Sequence, residues 1–391
     1  MNQEFRTAKG WSIFIYIFTP LLIALFVFLG IMPFMADEIV WWLVLLLVPV
    51  SIGMSLFMIY GLLSTYKGRI IINSDKVVEV DVFKNKELEL SNIKGYRIDQ
   101  NYTYLIPKNA HLKPIKVSQF IGNKNSFNQW LYTNFVDVDV IESSQEVEQI
   151  LANEEYGRTV EERENKLKQA RLVARTLNGI GSLLAVLLFF YPRPYELITL
   201  IALIFPVFIL ASLHFFRGLI RIDQKNNSGY PSTIYGFILP GMALALRSFI
   251  DFNILEYSNF WLPAFAVTIA TSLIMFSTTS ELKFKKAIDY VTAIFIVVFV
   301  FVYSYGGIIN YNCIYDESEP KVYSSEVLHM RISTGKSTSY YLELKAWGPV
   351  AETEDVSISK SLYDRIEVGE SVNIYLMKGK INIPWFTITE Q

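Results

Sequence analysis

Residues 11–34 read WSIFIYIFTPLLIALFVFLGIMPF, and this uncharged run is the first of seven similar stretches along the chain. A helix needs about 20 apolar residues to cross the roughly 30 Å hydrocarbon core of a bilayer. Within that core every backbone N–H and C=O must pair inside the protein, so such runs form helices. The sequence therefore predicts a membrane all-α fold with about seven transmembrane helices. The predicted spans are residues 11–34, 39–63, 172–191, 197–216, 230–249, 260–276 and 287–309.

Basic residues are distributed unevenly around these spans. Arg6 and Lys9 precede the first span, and Lys67 and Arg69 follow the second. Because cytoplasmic loops carry an excess of Lys and Arg, we predict that the N-terminus and the region after the second span are cytoplasmic. An odd number of spans then places the C-terminal region outside, with the protein in a bacterial plasma (inner) membrane. If the fifth or the sixth span is re-entrant, the C-terminal region is cytoplasmic instead.

The composition excludes several functional classes. Hydrophobic residues make up 52% of the chain and charged residues 18%, which is more apolar than an ordinary soluble domain. The one cysteine, Cys313, excludes an intramolecular disulfide framework. Three histidines lie in three separate regions, and neither an H-E-x-x-H nor a G-x-S-x-G motif is present. We therefore predict no enzymatic activity, no metal, no cofactor and no nucleic-acid partner.

Residues 66–136 alternate apolar and polar residues in short runs typical of strands, and a helical pattern at 126–135 follows them. This region resembles the PH-like domains that bacteria attach to paired membrane helices, and the resemblance implies a small cytoplasmic β-barrel. It carries eleven basic residues against six acidic ones. Such an excess favours contact with anionic lipid headgroups, for which Lys67 and Arg69 are candidates. The alternative is that these are ordinary solvated charges on the cytoplasmic side.

Residues 137–171 begin as an acidic linker and continue as an amphipathic helix. Thr159 and Glu162 have the spacing of a capping box, which predicts a helix start. Lys168, Arg171 and Arg175 share one face of that helix, and we expect them to contact lipid phosphates where the helix enters the membrane. A partner-docking face is the alternative. Residues 142–181 also resemble a segment of bacterial multi-pass membrane proteins whose activity is not known.

The C-terminal residues 310–391 return to strand-like patterns. Five short apolar runs are separated by turn signals, with one short helical stretch at 361–366. Five strands with an inserted helix predict an OB-like or related small β-barrel. Residues 357–369, followed by the run GKINIPW at 379–385, resemble the small β-domains appended to bacterial membrane proteins, which implies an interaction module. Twelve acidic residues against eight basic ones fit an external location.

Polar groups within the spans mark candidate transport or catalytic sites, because a charge in the centre of a membrane costs several kcal/mol. Four such residues are present: Asn178, His214, Arg247 and Asp289. The last three lie close to the ends of their spans, so we interpret them as interfacial anchors. The alternative hypothesis is a permease or a membrane-embedded enzyme that uses these residues within the last five helices.

These observations divide the chain into five segments. Two of them are transmembrane helical segments, two are small β-rich soluble domains, and one is a linker with an amphipathic helix. The leading hypothesis is an integral membrane scaffold or sensor whose partners are membrane lipids and other membrane or envelope proteins. The sequence determines neither the oligomeric state nor the biological process. The segments are 1–65 (a two-helix transmembrane hairpin), 66–136 (the PH-like domain), 137–171 (acidic linker and amphipathic helix), 172–309 (a five-helix transmembrane block) and 310–391 (the C-terminal β-domain).

Overall fold

The computed structural model describes residues 3–35, 41–109, 111–222, 227–279, 281–282, 284–334 and 338–391. The chain forms two compact units, residues 1–145 and residues 146–391. Within the described residues, seven helices are long and apolar enough to cross a membrane, and each overlaps one predicted span. The fifth and sixth are Ile234–Asp251 and Trp261–Thr278, both 18 residues long. The predicted number of membrane-length helices is therefore confirmed.

The first unit is a β-domain into which a helical hairpin is inserted. Its elements are β1 (Gln3–Arg6), α1 (Lys9–Ile31), α2 (Trp41–Lys67), β2 (Arg69–Ile72), β3 (Lys76–Val80), β4 (Lys86–Glu89), β5 (Ile93–Ile98), β6 (Tyr102–Pro107), β7 (Ile115–Ser118), α3 (Lys124–Asn134) and α4 (Val138–Ala152), which crosses the division between the units. Strand β1 precedes α1 but pairs antiparallel with β2, with Arg6 opposite Arg69. Both ends of the hairpin are thus fixed by one strand pair. The sequence did not predict β1, because four residues with one apolar side chain show no strand periodicity.

Two antiparallel sheets form this β-domain, β1-β2-β3-β4 and β5-β6-β7. The last residue of β1 and the chain just after it also bond to the segment after β7. The amide of Ala8 donates to the Phe120 carbonyl at 2.8 Å, and the Gly122 amide donates to the Arg6 carbonyl at 2.7 Å. Helix α3 covers the core with Phe127 and Leu131, both fully buried. The predicted β-rich region and its closing helix are confirmed.

The predicted linker is more helical than the sequence indicated. Residues 138–152 form α4, because their apolar side chains recur at helical spacing that the acidic composition obscured. Helix α5 (Val160–Phe190) begins at the predicted capping box, in which Thr159 Oγ1 accepts from the Glu162 amide. The whole helix is 31 residues long, so the amphipathic segment and the third span are one helix. The predicted boundary at 171/172 lies inside it.

The second unit contains five long helices that pack on one another, and a six-stranded sheet. Its remaining elements are α6 (Tyr195–Phe215), α7 (Ile234–Asp251), β8 (Asn253–Ile254), α8 (Trp261–Thr278), α9 (Ala287–Ile314), β9 (Lys321–Thr334), β10 (Thr338–Leu344), β11 (Glu354–Ile358), α10 (Lys360–Tyr363), β12 (Ser371–Met377) and β13 (Trp385–Glu390). Glycines let α7 approach two neighbours closely. A Cβ on Gly181 would lie 2.6 Å from Gly236 Cα, and one on Gly306 would lie 2.5 Å from the Ala245 nitrogen.

The C-terminal sheet has the strand order β11-β10-β9-β12-β13-β8. The first half of the long strand β9 pairs with β12 and its second half with β10, so β9 holds the sheet together. The five predicted strands and the short helix are confirmed. Strand β8 was not predicted, because it consists of two residues in the loop between α7 and α8. It pairs with Trp385 and Phe386 of β13, which ties that loop to the C-terminal β-domain.

Candidate functional site

A polar cluster lies where α7 ends, and we call it the α7 cluster: Tyr195, Arg247, Ser248, Asp251 and Asn310. Arg247 Nε is 2.9 Å from Asp251 Oδ2, and both side chains are mostly buried. The Tyr195 hydroxyl lies 2.7 Å from the same carboxylate oxygen and 3.3 Å from Asn310 Oδ1. Three helices therefore contribute to one hydrogen-bonded group.

Asn310 joins this cluster to the helix backbone. Its Nδ2 lies 3.0 Å from the Leu244 carbonyl, 2.8 Å from Ser248 Oγ and 2.7 Å from the Gly306 carbonyl. The side chain is fully buried, so these acceptors satisfy an amide that would otherwise be costly to desolvate. The close approach of α7 and α9 at Gly306 makes these bonds possible.

A crevice of about 680 Å³ opens beside Asp251, and we call it the β-domain crevice. Hydroxyl groups dominate its polar lining, with one amide and one carboxylate. Asp251 is the one charged residue among the described lining residues, and Arg247, which does not line the crevice, balances its charge. This chemistry suits a ligand whose bound part is uncharged and rich in hydrogen-bonding groups. The lining residues are Phe249, Ile250, Asp251, Asn253, Thr338, Ser339, Tyr340, Ser357, Ile358, Ser359, Leu362, Thr387 and Ile388.

Residues of two edge strands line this crevice. Strand β11 pairs with β10 alone among the described strands, so its other edge is unpaired. Strand β13 pairs with β8 only through Trp385 and Phe386, which leaves the outer edge from Thr387 onward without a strand partner within the described residues. Unpaired strand edges present N–H and C=O groups that an extended peptide can bind. Ser357 and Thr387, one from each strand, both line the crevice.

The C-terminal β-domain is fastened to α9 by two residues that the sequence analysis did not single out. Asn312 is fully buried, and its Nδ2 donates to the Ile383 carbonyl at 2.8 Å. Its Oδ1 accepts from the Ile381 amide at 3.1 Å. Asp316 accepts from the Gly379 amide at 2.7 Å and from Trp385 Nε1 at 2.9 Å. A usable signal was present, because Asn310 and Asn312 are two amides near the end of an otherwise apolar span.

Burial and hydrogen bonding act in opposite directions on Asp316. Burial alone would raise the pKa of this carboxyl group, but bonds from Ser318, Trp385 and Gly379 favour the ionised form and hold its pKa below the ordinary value. The carboxylate therefore stays charged at neutral pH, and the stability that it contributes is lost only as the pH falls through its lowered pKa. The β-domain attachment is thus maintained over the physiological range.

At the other end of the five helices, the structure brings three of the predicted residues into one crevice of about 290 Å³. We call it the basic crevice; Arg171, Arg175 and Asn178 line it together with the 228–232 loop. Arg171 Nη2 donates to the Gly229 carbonyl at 3.3 Å. Asn178 is fixed by two bonds, donating to the Ser232 carbonyl at 2.7 Å and accepting from the Gly236 amide at 2.8 Å. Asn178 therefore orders the loop.

The other predicted residues lie elsewhere. Lys67 is the last residue of α2, and Arg69, the first residue of β2, has Nη1 3.6 Å from Glu4 Oε1. Lys168 Nζ is 2.9 Å from Glu164 Oε1 and does not line the basic crevice. His214 is exposed in the last turn of α6. Asp289 accepts from the Lys285 and Lys286 amides ahead of α9, at 3.1 and 3.3 Å, so it caps that helix.

A substitution of Arg175 tests the predicted lipid contact, because this side chain is exposed and has no ion pair or hydrogen bond to any described residue. We expect Arg175→Gln to weaken the binding of phosphatidylglycerol to the purified protein. A basic residue near an anionic surface contributes about 1 kcal/mol, which corresponds to roughly fivefold in affinity. Native mass spectrometry with titrated lipid measures this change. Lys168→Gln is the matched control, and an equal loss in that variant would contradict a role for the basic crevice.

No group of three or more His, Cys, Asp or Glu residues that could hold a metal occurs in the described part of the chain. The chain matches no protein-family model, no curated protein and no solved structure. The two ends of the helical block are the parts of the described chain whose geometry bears on function.

Proposed function

We propose that this chain is an integral membrane scaffold or sensor, in which a C-terminal β-domain binds a partner and is coupled to five helices. The observation that carries the proposal is the attachment of this β-domain to the helices. It is held by the pairing of β8 with β13 and by the buried amide of Asn312. A domain fastened in this way transmits a force or a displacement to the helices, whereas a domain on a flexible linker does not.

The domain identities inferred from the sequence belong to the same proposal. Seven strands in two sheets closed by α3 support a PH-like assignment for the first β-domain. The order β11-β10-β9-β12-β13, with α10 between β11 and β12, supports an OB-like assignment for the second. We further propose a bacterial plasma membrane location, with the first β-domain in the cytoplasm and the second outside. Strand pairing across the hairpin supports one part of this location, that the N-terminus and the first β-domain lie on the same side, since β1 and β2 lie at the same end of α1 and α2.

The partner is proposed to be an extended segment of another membrane or envelope protein, bound in the β-domain crevice. The two unpaired strand edges and the hydroxyl-rich lining supply main-chain and side-chain hydrogen bonds to such a segment. A group that bonds to Asp251 competes with Tyr195 and Arg247 for the carboxylate. Because Tyr195 begins α6 and Asp251 ends α7, binding in the crevice alters contacts between these helices.

The alternative of a permease or membrane-embedded enzyme finds less support in the placement of its residues. Asn178 and Asp289 lie at the end of the block where α7 and α9 begin, whereas Arg247 lies in the last turn of α7. Asn178 and Asp289 each bond to backbone groups, and Arg247 forms an ion pair with Asp251. These positions fit anchors and packing contacts better than a relay through the centre of a membrane.

Site-specific photocrosslinking in native membranes tests the proposal. We expect p-benzoylphenylalanine in place of Thr387, inside the crevice, to give a discrete protein adduct. The same group in place of Val368, an exposed residue that does not line the crevice, should give none. The adduct should persist when Arg175 is changed to Gln, which removes only a charge at the other end of the helices. Equal adducts at both positions, or no adduct at Thr387, would refute binding in the crevice.

A further inference from the structure

Two aromatic contacts join the first β-domain to its own helical hairpin. The Phe83 ring stacks on Tyr60 of α2, with centroids 5.7 Å apart and an interplanar angle of 6°. The Phe120 ring stacks on Trp11 of α1, with centroids 4.3 Å apart and an angle of 10°. In spite of its contact, Phe83 is 84% exposed. A large apolar side chain therefore stands unburied beside a helix that is itself apolar.

Strand directions explain how this segment reaches the helix. Strand β2 leaves the end of α2, and β3 returns antiparallel to it, with Val80 opposite Arg69. The segment at residues 81–85, which we call the β3–β4 loop, consequently arrives next to α2. The Tyr60 hydroxyl donates to the Asp81 carboxylate at 3.0 Å, which fixes the loop there. The turn at Ser74, between β2 and β3, lies at the opposite end of the same strands.

The position of Tyr60 along α2 sets the depth of the loop. Tyr60 is seven residues before Lys67, which ends the helix, and at 1.5 Å per residue this separation is about 10 Å along the axis. If Lys67 lies at the lipid phosphates, Phe83 reaches beyond them toward the hydrocarbon. Aromatic residues are enriched at the interface, and Trp11 lies two residues after Lys9 on α1, about 3 Å along its axis and so closer to the phosphates than Tyr60. Lys84, beside Phe83, has no ion pair or hydrogen bond to a described residue and can reach the phosphate layer.

We infer that the β3–β4 loop inserts into the interface of the bilayer that its own hairpin crosses, with Phe83 among the lipid chains and Lys84 at the phosphates. The stack of Phe120 on Trp11 provides a second point of attachment. The first β-domain is then held against the membrane at a fixed orientation and does not swing freely on the hairpin. This inference rests on the proposed membrane span of α1 and α2, and its partner is the lipid surface itself.

The test uses the full chain, purified and reconstituted into vesicles of phosphatidylcholine and phosphatidylglycerol. Cys313→Ser removes the one native thiol, and single cysteines are then introduced by Phe83→Cys, Ser74→Cys or Leu25→Cys. Each is labelled with the fluorophore NBD, and a fraction of the lipid carries a nitroxide on its acyl chain. We expect loss of most of the fluorescence at position 83 and at position 25, and little loss at position 74. Because only the lipid carries the nitroxide, quenching requires lipid contact.

The outcomes separate this inference from the proposed function. If position 25 is quenched but position 83 is quenched no more than position 74, the hairpin spans the membrane and the loop does not insert. If position 83 shows a blue-shifted emission without quenching, a second copy of the chain covers it, and lipid insertion is wrong. If position 25 is not quenched either, the membrane span fails and the proposed function fails with it. Because Phe83 is exposed, its replacement leaves the domain core intact.

Discussion

Replacing Gly306 by alanine is expected to destabilise the second unit strongly, whereas the same change at the adjacent Gly307 should have little effect. A Cβ at position 306 would lie 2.5 Å from the Ala245 nitrogen and 2.7 Å from the Leu244 carbonyl carbon. Both are backbone atoms, so α7 and α9 must separate. At position 307 the nearest atom is 3.3 Å away, at the end of the flexible Leu203 side chain. The two variants differ by one position and introduce the same methyl group.

The cost at Gly306 comes from two sources. Overpacking a close contact costs about 1–3 kcal/mol, and more where only backbone can move. Separation of the helices also lengthens the bonds from Asn310 to the Leu244 carbonyl and Ser248, which leaves a buried amide unsatisfied. We expect a fall of several degrees in the thermal midpoint of the detergent-solubilised protein for Gly306→Ala. Equal midpoints for Gly306→Ala and Gly307→Ala would show that α7 and α9 are not in this contact.

The helices were predictable from sequence, but their contacts were not. An apolar run of about 20 residues is a local property, and within hydrocarbon a single such segment satisfies its own backbone groups only as a helix. The contact of Gly306 with Ala245 depends on which helices become neighbours, and single-sequence patterns do not contain that information. The same holds for β1, whose four residues become a strand only because Arg69–Ile72 returns beside them.

Individual residues of the candidate sites were predictable from local sequence features, but the contacts between them were not. Arg171 and Arg175 were identified by their shared helix face, and Asn178 as a polar residue within a span. Their convergence with the 228–232 loop required the fold. Tyr195 and Asp251 were not identified, because each lies at a helix end where tyrosine and carboxylate side chains are ordinary. Only the folded chain places their oxygens 2.7 Å apart beside the β-domain crevice.

Asn312→Ala is expected to weaken the attachment of the C-terminal β-domain to α9 while leaving both parts folded. The change removes the donor to the Ile383 carbonyl and the acceptor of the Ile381 amide, so two backbone groups at a buried junction lose their partners. Each unsatisfied group costs about 1–3 kcal/mol, so the loss in the free energy of unfolding for the two groups should be about 2–6 kcal/mol. Asp316 and the β8–β13 pair remain, which limits the damage to the junction.

Limited proteolysis of the connector at residues 315–320, together with thermal unfolding, measures this weakening. Asn259→Ala is the matched control, because Asn259 Nδ2 donates to the Asn382 carbonyl of the same loop at 2.7 Å but is exposed. Water replaces that bond, so we expect a loss below about 1 kcal/mol and no change in cleavage. If Asn312→Ala cleaves no faster than Asn259→Ala, the β-domain is held by other contacts. We expect both variants to keep the adduct formed from position 387, because neither change alters the crevice. In Asn312→Ala the weakened attachment should nevertheless reduce transmission from the β-domain to the helices.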